Sequence, residues 1–450
     1  MEPTAEAAPA EPSSSEILRT WIHRECKASD MQVKRIPFAE SRQWRWDKDG
    51  FISHYTKRFF RVVGVRYYDV PDAKFQTQPL IDQPEIGLLS FLVCRENQEW
   101  WILAQAKAEP GNVNVVQIAP TVQATKSNYE VAHGGGATPY LSQAQSSTHA
   151  LCCQFQSEQN SRFLAKRNQN SVILMKEKIP AVDSRYRWIR LRQLLTMLRE
   201  DHTINTDARS VLVCWLFTHP YALEECIGHH QSFLQLLLFS LKSTIAMHKQ
   251  SELYGWLDAL NSKWQSKTVA IPLQALGHPW ECGHAAITST NNPAMAIHHI
   301  EVRCATREVT HWDQPISASQ TSTRIVLLIG LLKGTLHLLL QARLEAGNRS
   351  GFELTTTVQD DLHANDNVDM QYLRLAESGT TMLRFCNSEE GGRFDRCVSE
   401  YKIVRLDHVN ESQEGVFYRW VSLSQFSEML ASQKFITNEL RSAVSALLSL

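Results

Sequence analysis

The chain has 450 residues and a formal net charge of −1, with 46 Lys and Arg against 47 Asp and Glu. No Lys/Arg block stands out, which argues against nucleic acid or an anionic membrane surface as partner. The ten cysteines contain no CxxC pair and no Cys/His spacing suited to zinc, so scattered reduced thiols of a cytoplasmic protein are expected.

Residues 1–15 are rich in Ala, Pro, Glu and Ser, without a basic start or an apolar run. They read as a disordered tail and not as a signal peptide. A short helix follows at Ile17-Leu18 and Trp21-Ile22, then a turn at Asp49-Gly50. Val/Phe/Tyr-rich runs at Phe59 to Tyr68, Gly87 to Val93 and Trp100 to Ala104 predict strands. Val115 to Thr125 alternates, with Gln117, Thr121, Gln123 and Thr125 on one face. Leu191, Leu194, Leu195 and Leu198 carry the spacing of a buried helix face. Asp207 to Phe217 predicts a second helix, with Thr206 as cap. The longest apolar stretch, Phe233 to Ile245, contains Gln235, Ser240 and Lys242 and is shorter than the ~18 residues a membrane span needs. A packed helix in a soluble protein is the expectation.

Most of the sequence then repeats. Gln78-Pro79 returns as Gln314-Pro315, Gln105 to Asn112 as Gln341 to Asn348, and Thr121-Val122-Gln123 as Thr357-Val358-Gln359, each at the same shift of 236 residues. The stretch ending at Trp46 answers to the one ending at Trp280, Ser157 to Phe163 to Ser388 to Phe394, and Tyr186-Arg187-Trp188 to Tyr418-Arg419-Trp420. A period this long is the size of a domain and not of a solenoid repeat. The expected organisation is a first repeat over 16–218, a linker helix region over 219–250 and a second repeat over 251–450. Strands in the middle with helices at the ends make each repeat an α+β mixed-sheet domain with flanking helices.

The densest polar cluster is Gln105, Lys107 and Glu109, on one side of a predicted strand, followed by the turn Pro110-Gly111-Asn112 and by Asn114. An amide, a cation and a carboxylate in a row can bind a polar substrate and shift one another's pKa. Gln117, Thr121 and Gln123 extend the row. Ser127, Asn128, Tyr129, His133 and Tyr140 supply hydroxyl, amide and imidazole groups in the next loop. The bland reading is a solvated sheet face; recurrence of the pattern in register in both repeats favours function. Arg162, Arg167 and Arg209 suit a pyrophosphate or, equally, structural pairing. Trp46 suits a nucleobase or the core. There is no GxGxxG after a first strand, no P-loop, no HExxH and no GxSxG.

With these residues in hand, the chain resembles the NDP-hexose 2,3-dehydratases. The resemblance rests on Phe59 to Arg66, Gln78 to Leu92, Gln105 to Tyr129, His133 to Leu141, Gln156 to Asn170 and Tyr186 to Leu194, with Ser388 to Phe394 and Tyr418 to Phe426 in the second repeat. It implies two Nudix-like α+β halves, a homodimer, and a dTDP-sugar ligand bound without metal or nicotinamide. It also implies loss of the 2-hydroxyl from a dTDP-4-keto-6-deoxyhexose to give a 3,4-diketo-2,6-dideoxy sugar, which a partner 3-ketoreductase then reduces. In that chemistry Glu109 is expected as the base at C3 and Lys107 as the enolate stabiliser, with Tyr129 or His133 as the acid at the leaving hydroxyl. The second repeat has Ala346 in place of Pro110 and Ser350 in place of Asn114, so catalysis is expected in the first half, with a vestigial or structural site in the second. A non-catalytic nucleotide-sugar-binding protein is the alternative.

Overall fold

The computed structural model describes residues 14–69, 74–125, 136–146, 148–226, 232–264, 267–290, 295–349, 351–360 and 366–450. All but two residues of the expected tail, along with Ser127, Asn128, Tyr129 and His133, lie outside the described residues. Two seven-stranded sheets, one per repeat, share a topology. In the first the order is Ala150–Ser157, Arg167–Met175, Gly87–Glu96, Glu99–Ala108 and Tyr186–Arg190. In the second it is Thr380–Ser388, Val398–Leu406, Thr323–Leu332, Thr335–Arg343 and Tyr418–Ser422. Arg167–Met175 runs parallel to Gly87–Glu96 and the other neighbours in this order are antiparallel. The duplication is therefore structural as well as sequential.

The alternating run 115–125 is not one strand. Val116–Ala119 pairs with Glu99–Ala108, and Val122–Ala124 pairs with Gly87–Glu96. Pro120 and Thr121 carry the chain from one to the other; proline cannot donate to a ladder, and the period-two pattern conceals the break. The Thr121 hydroxyl fills the gap, donating to the Leu103 carbonyl and accepting from the Leu92 amide at 3.0 Å. Thr357 does the same between Leu339 and Leu328.

Two smaller sheets join the halves by exchanging strands. Gln32–Ile36, from the first repeat, pairs with Ala296–Arg303 of the second, with Val33 opposite Val302. Val269–Ile271, from the second, pairs with Arg61–Asp69 of the first, with Ala270 opposite Val65. Trp44 donates to the Asp313 carbonyl at 2.8 Å, and Trp280 donates to the Thr77 carbonyl at 2.6 Å. The structural counterpart of Trp280 is thus Trp44, not Trp46. Trp46 sits edge-on to Phe38 in the minor core.

At the centre, helices Thr206–Thr218 and Asn438–Ser445 pack on each other. Every residue from Thr206 to Phe217 is buried, as befits a helix apolar all round between two layers. Its cap is Asn205, whose side chain accepts from the Ala208 amide at 2.8 Å; Thr206 is the first helical residue. Cys152 is buried and Cys153 exposed, on opposite faces of their strand, and all ten cysteines are unpaired. No helix among the described residues is long and apolar enough to cross a membrane.

The repeats touch most closely through two glycine turns. The Gly111 amide donates to Gly391 at 2.8 Å and the Gly347 amide to Asn160 at 2.8 Å. A Cβ at Gly111 would lie 1.6 Å from the Phe394 carbonyl oxygen, and one at Gly347 would lie 1.8 Å from that of Phe163. Gly111→Ala is therefore expected to cost more than about 3 kcal/mol in urea unfolding, since backbone blocks it and cannot yield. Gly255→Ala, in a helix with nothing within 4 Å, should be neutral or stabilise by about 0.5–1 kcal/mol. Equal effects from the two would remove the close approach as the joint between the repeats.

Candidate functional site

The strand Glu99–Ala108 turns Ala104, Ala106 and Ala108 into the main core. Period two then sends Gln105 and Lys107 to the other face. That face does not meet water: Gln105, Lys107, Glu109, Gln117 and Thr121 are all buried, because the second repeat's 388–394 loop and its 304–314 hairpin cover them. Lys107 and Glu109 line a cavity of about 230 Å³. Gln105 and Thr121 line a small recess behind Lys107, with Arg307 and Glu308 at its wall.

Lys107 Nζ donates to the Gln123 carbonyl at 2.8 Å and lies 3.4 Å from Glu109 Oε1. The same Glu109 oxygen accepts from Gln123 Nε2 at 3.2 Å. Gln123 is fixed in turn by Asn205, which donates to its Oε1 at 2.8 Å. The helix cap therefore also orients the site. Glu109 Oε2 is buried with no hydrogen-bond partner. A buried carboxyl oxygen without a donor costs free energy, and the residue that carries it lines the cavity.

Five further carboxyl groups line the same space, Glu158, Asp207, Glu308, Asp313 and Glu390, and burial raises three of them. Burial, then the Glu390 charge, pushes Glu158 up to about 7. Burial followed by Glu158 raises Asp207, and burial followed by Glu109 raises Glu390. Burial lowers Lys166 to about 8. Glu158 is fully engaged, accepting from Asn168 and Asn438 at 2.6 Å each. The cavity thus holds protonatable carboxyl groups beside two amines, a setting for moving protons near neutral pH.

The second repeat builds the opposite wall. Arg307 donates to the Ala108 carbonyl at 2.8 Å and pairs with Glu308 at 3.3 Å. Burial would raise Glu308, but Arg307, a backbone hydrogen bond, Lys107 and Arg185 together outweigh it and hold the acid at about 2. Asp313 accepts from His299 at 2.7 Å and from Ser41 at 2.5 Å. Burial alone would raise its pKa, and these hydrogen bonds outweigh that and keep it low. The outer end is aromatic. Trp44, Phe59, Phe60 and His54 line it, with Tyr55 at its rim, 55% exposed. Burial brings His54 down to about 4, so it is neutral at pH 7. Arg393 lies 4.2 Å over the Phe60 ring and donates to Gln83 at 3.3 Å.

Several sequence-predicted residues serve the scaffold instead of the cavity lining. Trp46 packs on Phe38 and is not on the cavity lining. Asn112 donates to the Val115 carbonyl and closes the glycine turn, while Asn114 donates to the His202 carbonyl at 2.6 Å. Gln117 reaches across to Ser388 at 2.8 Å. Tyr140 bridges Pro180 and Val182 at 3.0 and 2.8 Å. Arg162 is buried beside the inter-repeat turn. Arg167 is tied to the carbonyls of Phe155 and Gln433. Arg209 is fully buried, donating to Ile204, Ser445 and Leu198 at 3.1, 3.1 and 2.8 Å. Arg441 mirrors it with Ile436, Ser210 and Ser157.

The in-register recurrence has the same structural cause. Arg343 donates to the Gln359 carbonyl at 2.6 Å and pairs with Glu345 at 3.2 Å, and Gln359 donates to Glu345 at 3.2 Å. The row is kept, yet none of Gln341, Arg343 and Glu345 lines the cavity. What differs is the facing loop: Gln159 stands where the second repeat has Glu390, and Lys166 where it has Cys397. Sequence reasoning passed over Trp44, His54, Glu158, Lys166, Arg307, Glu308, Glu390 and Arg393. The Gln159/Glu390 difference inside a shared motif was the available signal. Among the described residues, no cluster of three or more His, Cys, Asp and Glu side chains is placed to hold a metal ion.

A family model described as NDP-hexose 2,3-dehydratase matches residues 15–215 and 250–447. Three curated relatives carry the name dTDP-4-dehydro-6-deoxy-α-D-glucopyranose 2,3-dehydratase. The Saccharopolyspora spinosa protein is 32% identical, covering 96% of this chain and 90% of its own. The Amycolatopsis orientalis protein is 30% identical over the same shares, and that of Streptomyces violaceoruber is 30% identical over 90% and 91%. Among solved structures, an ADP compounds hydrolase aligns with 36% of this chain and 88% of its own, at TM-score 0.23 and 15% identity. A Nudix hydrolase from M. smegmatis aligns with 27% and 81%, at TM-score 0.19 and 15% identity.

Arg209→Met removes three donors from buried acceptors. The expected result is a loss of about 3 kcal/mol or more in urea unfolding, at about 1–3 kcal/mol per stranded buried group. A loss under about 0.5 kcal/mol, the range of an ordinary surface change, would show that Arg209 does not hold the helix junction.

Proposed function

The chain belongs to the NDP-hexose 2,3-dehydratase family, and from that premise we propose that it removes water across C2–C3 of a dTDP-4-keto-6-deoxyhexose in the cavity between its repeats. The product is the 3,4-diketo-2,6-dideoxy sugar nucleotide. The observation that carries this reading is Glu109 on the cavity lining, with one buried oxygen unpartnered and the other 3.4 Å from the ammonium of Lys107, which lines the same cavity.

The C4 ketone acidifies the C3 proton, so Glu109 can take it if charge developing on the C4 oxygen is met by a fixed cation. Lys107 is that cation. It is pinned to the Gln123 carbonyl and needs little reorganisation as charge develops. The enolate then expels the C2 hydroxyl as water, given a proton. The enol that remains gains a proton at C2, loses the one on its C3 oxygen and becomes the diketone. The carboxyl end takes the hexose and the aromatic end takes the base, where Trp44, Phe59 and Tyr55 offer faces for stacking. Arg393, between the two ends, suits the pyrophosphate. The reading extends to a cytoplasmic homodimer whose product passes to a 3-ketoreductase, as the unstable diketone requires. It places the chemistry on the floor of repeat 16–218, under cover from repeat 251–450.

The test is turnover of dTDP-4-keto-6-deoxyglucose with a 3-ketoreductase and NADPH as trap, read by mass loss of one water and gain of hydride. Wild type is expected to give the 2-deoxy product. Glu109→Gln should lower kcat by about 10²–10⁴, the range for a lost general base, with KM nearly unchanged. Full turnover by a folded Glu109→Gln variant would remove Glu109 as the base.

A further inference from the structure

Loss of the C2 hydroxyl needs an acid, and the second repeat places one opposite Glu109. We infer that Glu390, carried by the second repeat, is the catalytic acid that protonates the leaving hydroxyl, so that the reacting carboxyl pair is assembled from both halves of the duplication. This inference rests on the dehydratase reading and adds a residue and a step to it.

The geometry is fixed by Gly392. A Cβ there would lie 2.5 Å from Glu390 Oε1 and 3.5 Å from Glu109 Oε1. Both oxygens therefore face the same side of that glycine, no further apart than the 6.0 Å sum of those distances. Both residues line the cavity. Two carboxyl groups within that limit, both on the cavity lining, can reach one sugar ring, with one at the C3 hydrogen and the other at the C2 oxygen.

The other carboxyl groups are less suited. Glu158 already accepts two hydrogen bonds at 2.6 Å. Asp207 sits at a position where the second repeat also keeps an acid, Glu439, although that repeat's row lines no part of the cavity. Asp207 thus goes with the shared scaffold. Glu390 does not, because its counterpart Gln159 cannot give up a proton. Burial and the Glu109 charge raise the pKa of Glu390, against the lowering influence of Arg393, Lys107 and Lys166. Two close carboxyl groups favour one protonated and one ionised member, the state required for an acid and a base to begin a cycle.

The step balances. Glu109 takes the C3 proton as C–H breaks and the enolate forms. The electron pair of the enolate makes C2=C3 as C2–O breaks, the Glu390 proton completes the departing water, and Glu390 is left ionised. In the final tautomerisation the Glu109 proton goes to C2 and the proton on the C3 oxygen returns to Glu390, so both carboxyl groups end as they began.

Two readouts separate the steps: deuterium uptake at C3 from D₂O reports proton abstraction, and water loss reports elimination. In Glu390→Gln, C3 exchange should persist within about threefold of wild type, while water loss should fall by about 100-fold or more, as expected for a lost general acid. A 2-deoxy-2-fluoro analogue, whose fluoride leaves without protonation, should be eliminated by Glu390→Gln within about threefold of its wild-type rate. Rescue by the fluoro substrate also establishes that the variant is folded. Dehydration within threefold of wild type would overturn the inference. So would joint loss of exchange and elimination with no rescue by fluoride, which would place Glu390 at the first step or in the scaffold. Absence of both reactions in the wild type would instead sink the dehydratase reading itself.

Discussion

The structure depends on one constraint: the backbone of each repeat closes against the backbone of the other at a glycine. Gly111 and Gly347 approach carbonyl oxygens of the opposite repeat too closely for any side chain. Around them Phe163 meets Phe394 edge-on at 5.6 Å, and each half lends the other a strand. This contact lays each repeat's 157–163 or 388–394 loop over the other repeat's polar strand. A sheet face that would be solvated in a lone domain becomes the floor of a cavity.

That burial gives the chemistry its electrostatics. In water, Glu109, Glu158, Asp207 and Glu390 would all be ionised and unremarkable. Beneath the second repeat they share a low-dielectric space with Lys107 and Lys166, where holding every carboxyl ionised is costly. Proton affinities therefore rise for three of the acids and fall for Lys166. The groups that bear this cost are held in place by a chain of hydrogen bonds. Asn205 holds Gln123, Gln123 holds Glu109 and Lys107, and Arg307 ties down the strand end.

Much of this was legible in the sequence, and the illegible part has a physical reason. The duplication, the helix at Leu191–Thr196 and the row Gln105, Lys107, Glu109 follow from period and spacing, which are local signals. The break at Pro120-Thr121 was hidden because two short strands joined by a crossing preserve the alternation of one long strand. Arg209 and Thr121 looked functional because they recur, yet they recur for the shared scaffold: a buried guanidinium stitching carbonyls, and a hydroxyl bridging a splayed sheet. Trp44, Arg307 and Glu390 reach the cavity only through contacts hundreds of residues apart, which no local pattern encodes.

The pseudo-symmetry reverses the usual reading of a diverging copy. Each polar floor faces a loop supplied by the other repeat, so improving the floor built on Glu109 requires changes in the second repeat's sequence. Glu390 where the first repeat has Gln159, and Gly392, where a side chain would strike that acid, in the position of Ser161, are differences of this kind. The converse holds at the other floor: Glu345 faces a loop carrying Gln159, with no second acid in the matching position. Departures in the second repeat that look like erosion in an alignment lie, in space, on the lining of the cavity over the first repeat's floor. A tandem pair joined in this way can specialise one cavity while the other remains a buried ion pair, because each floor and its cover diverge independently of the other.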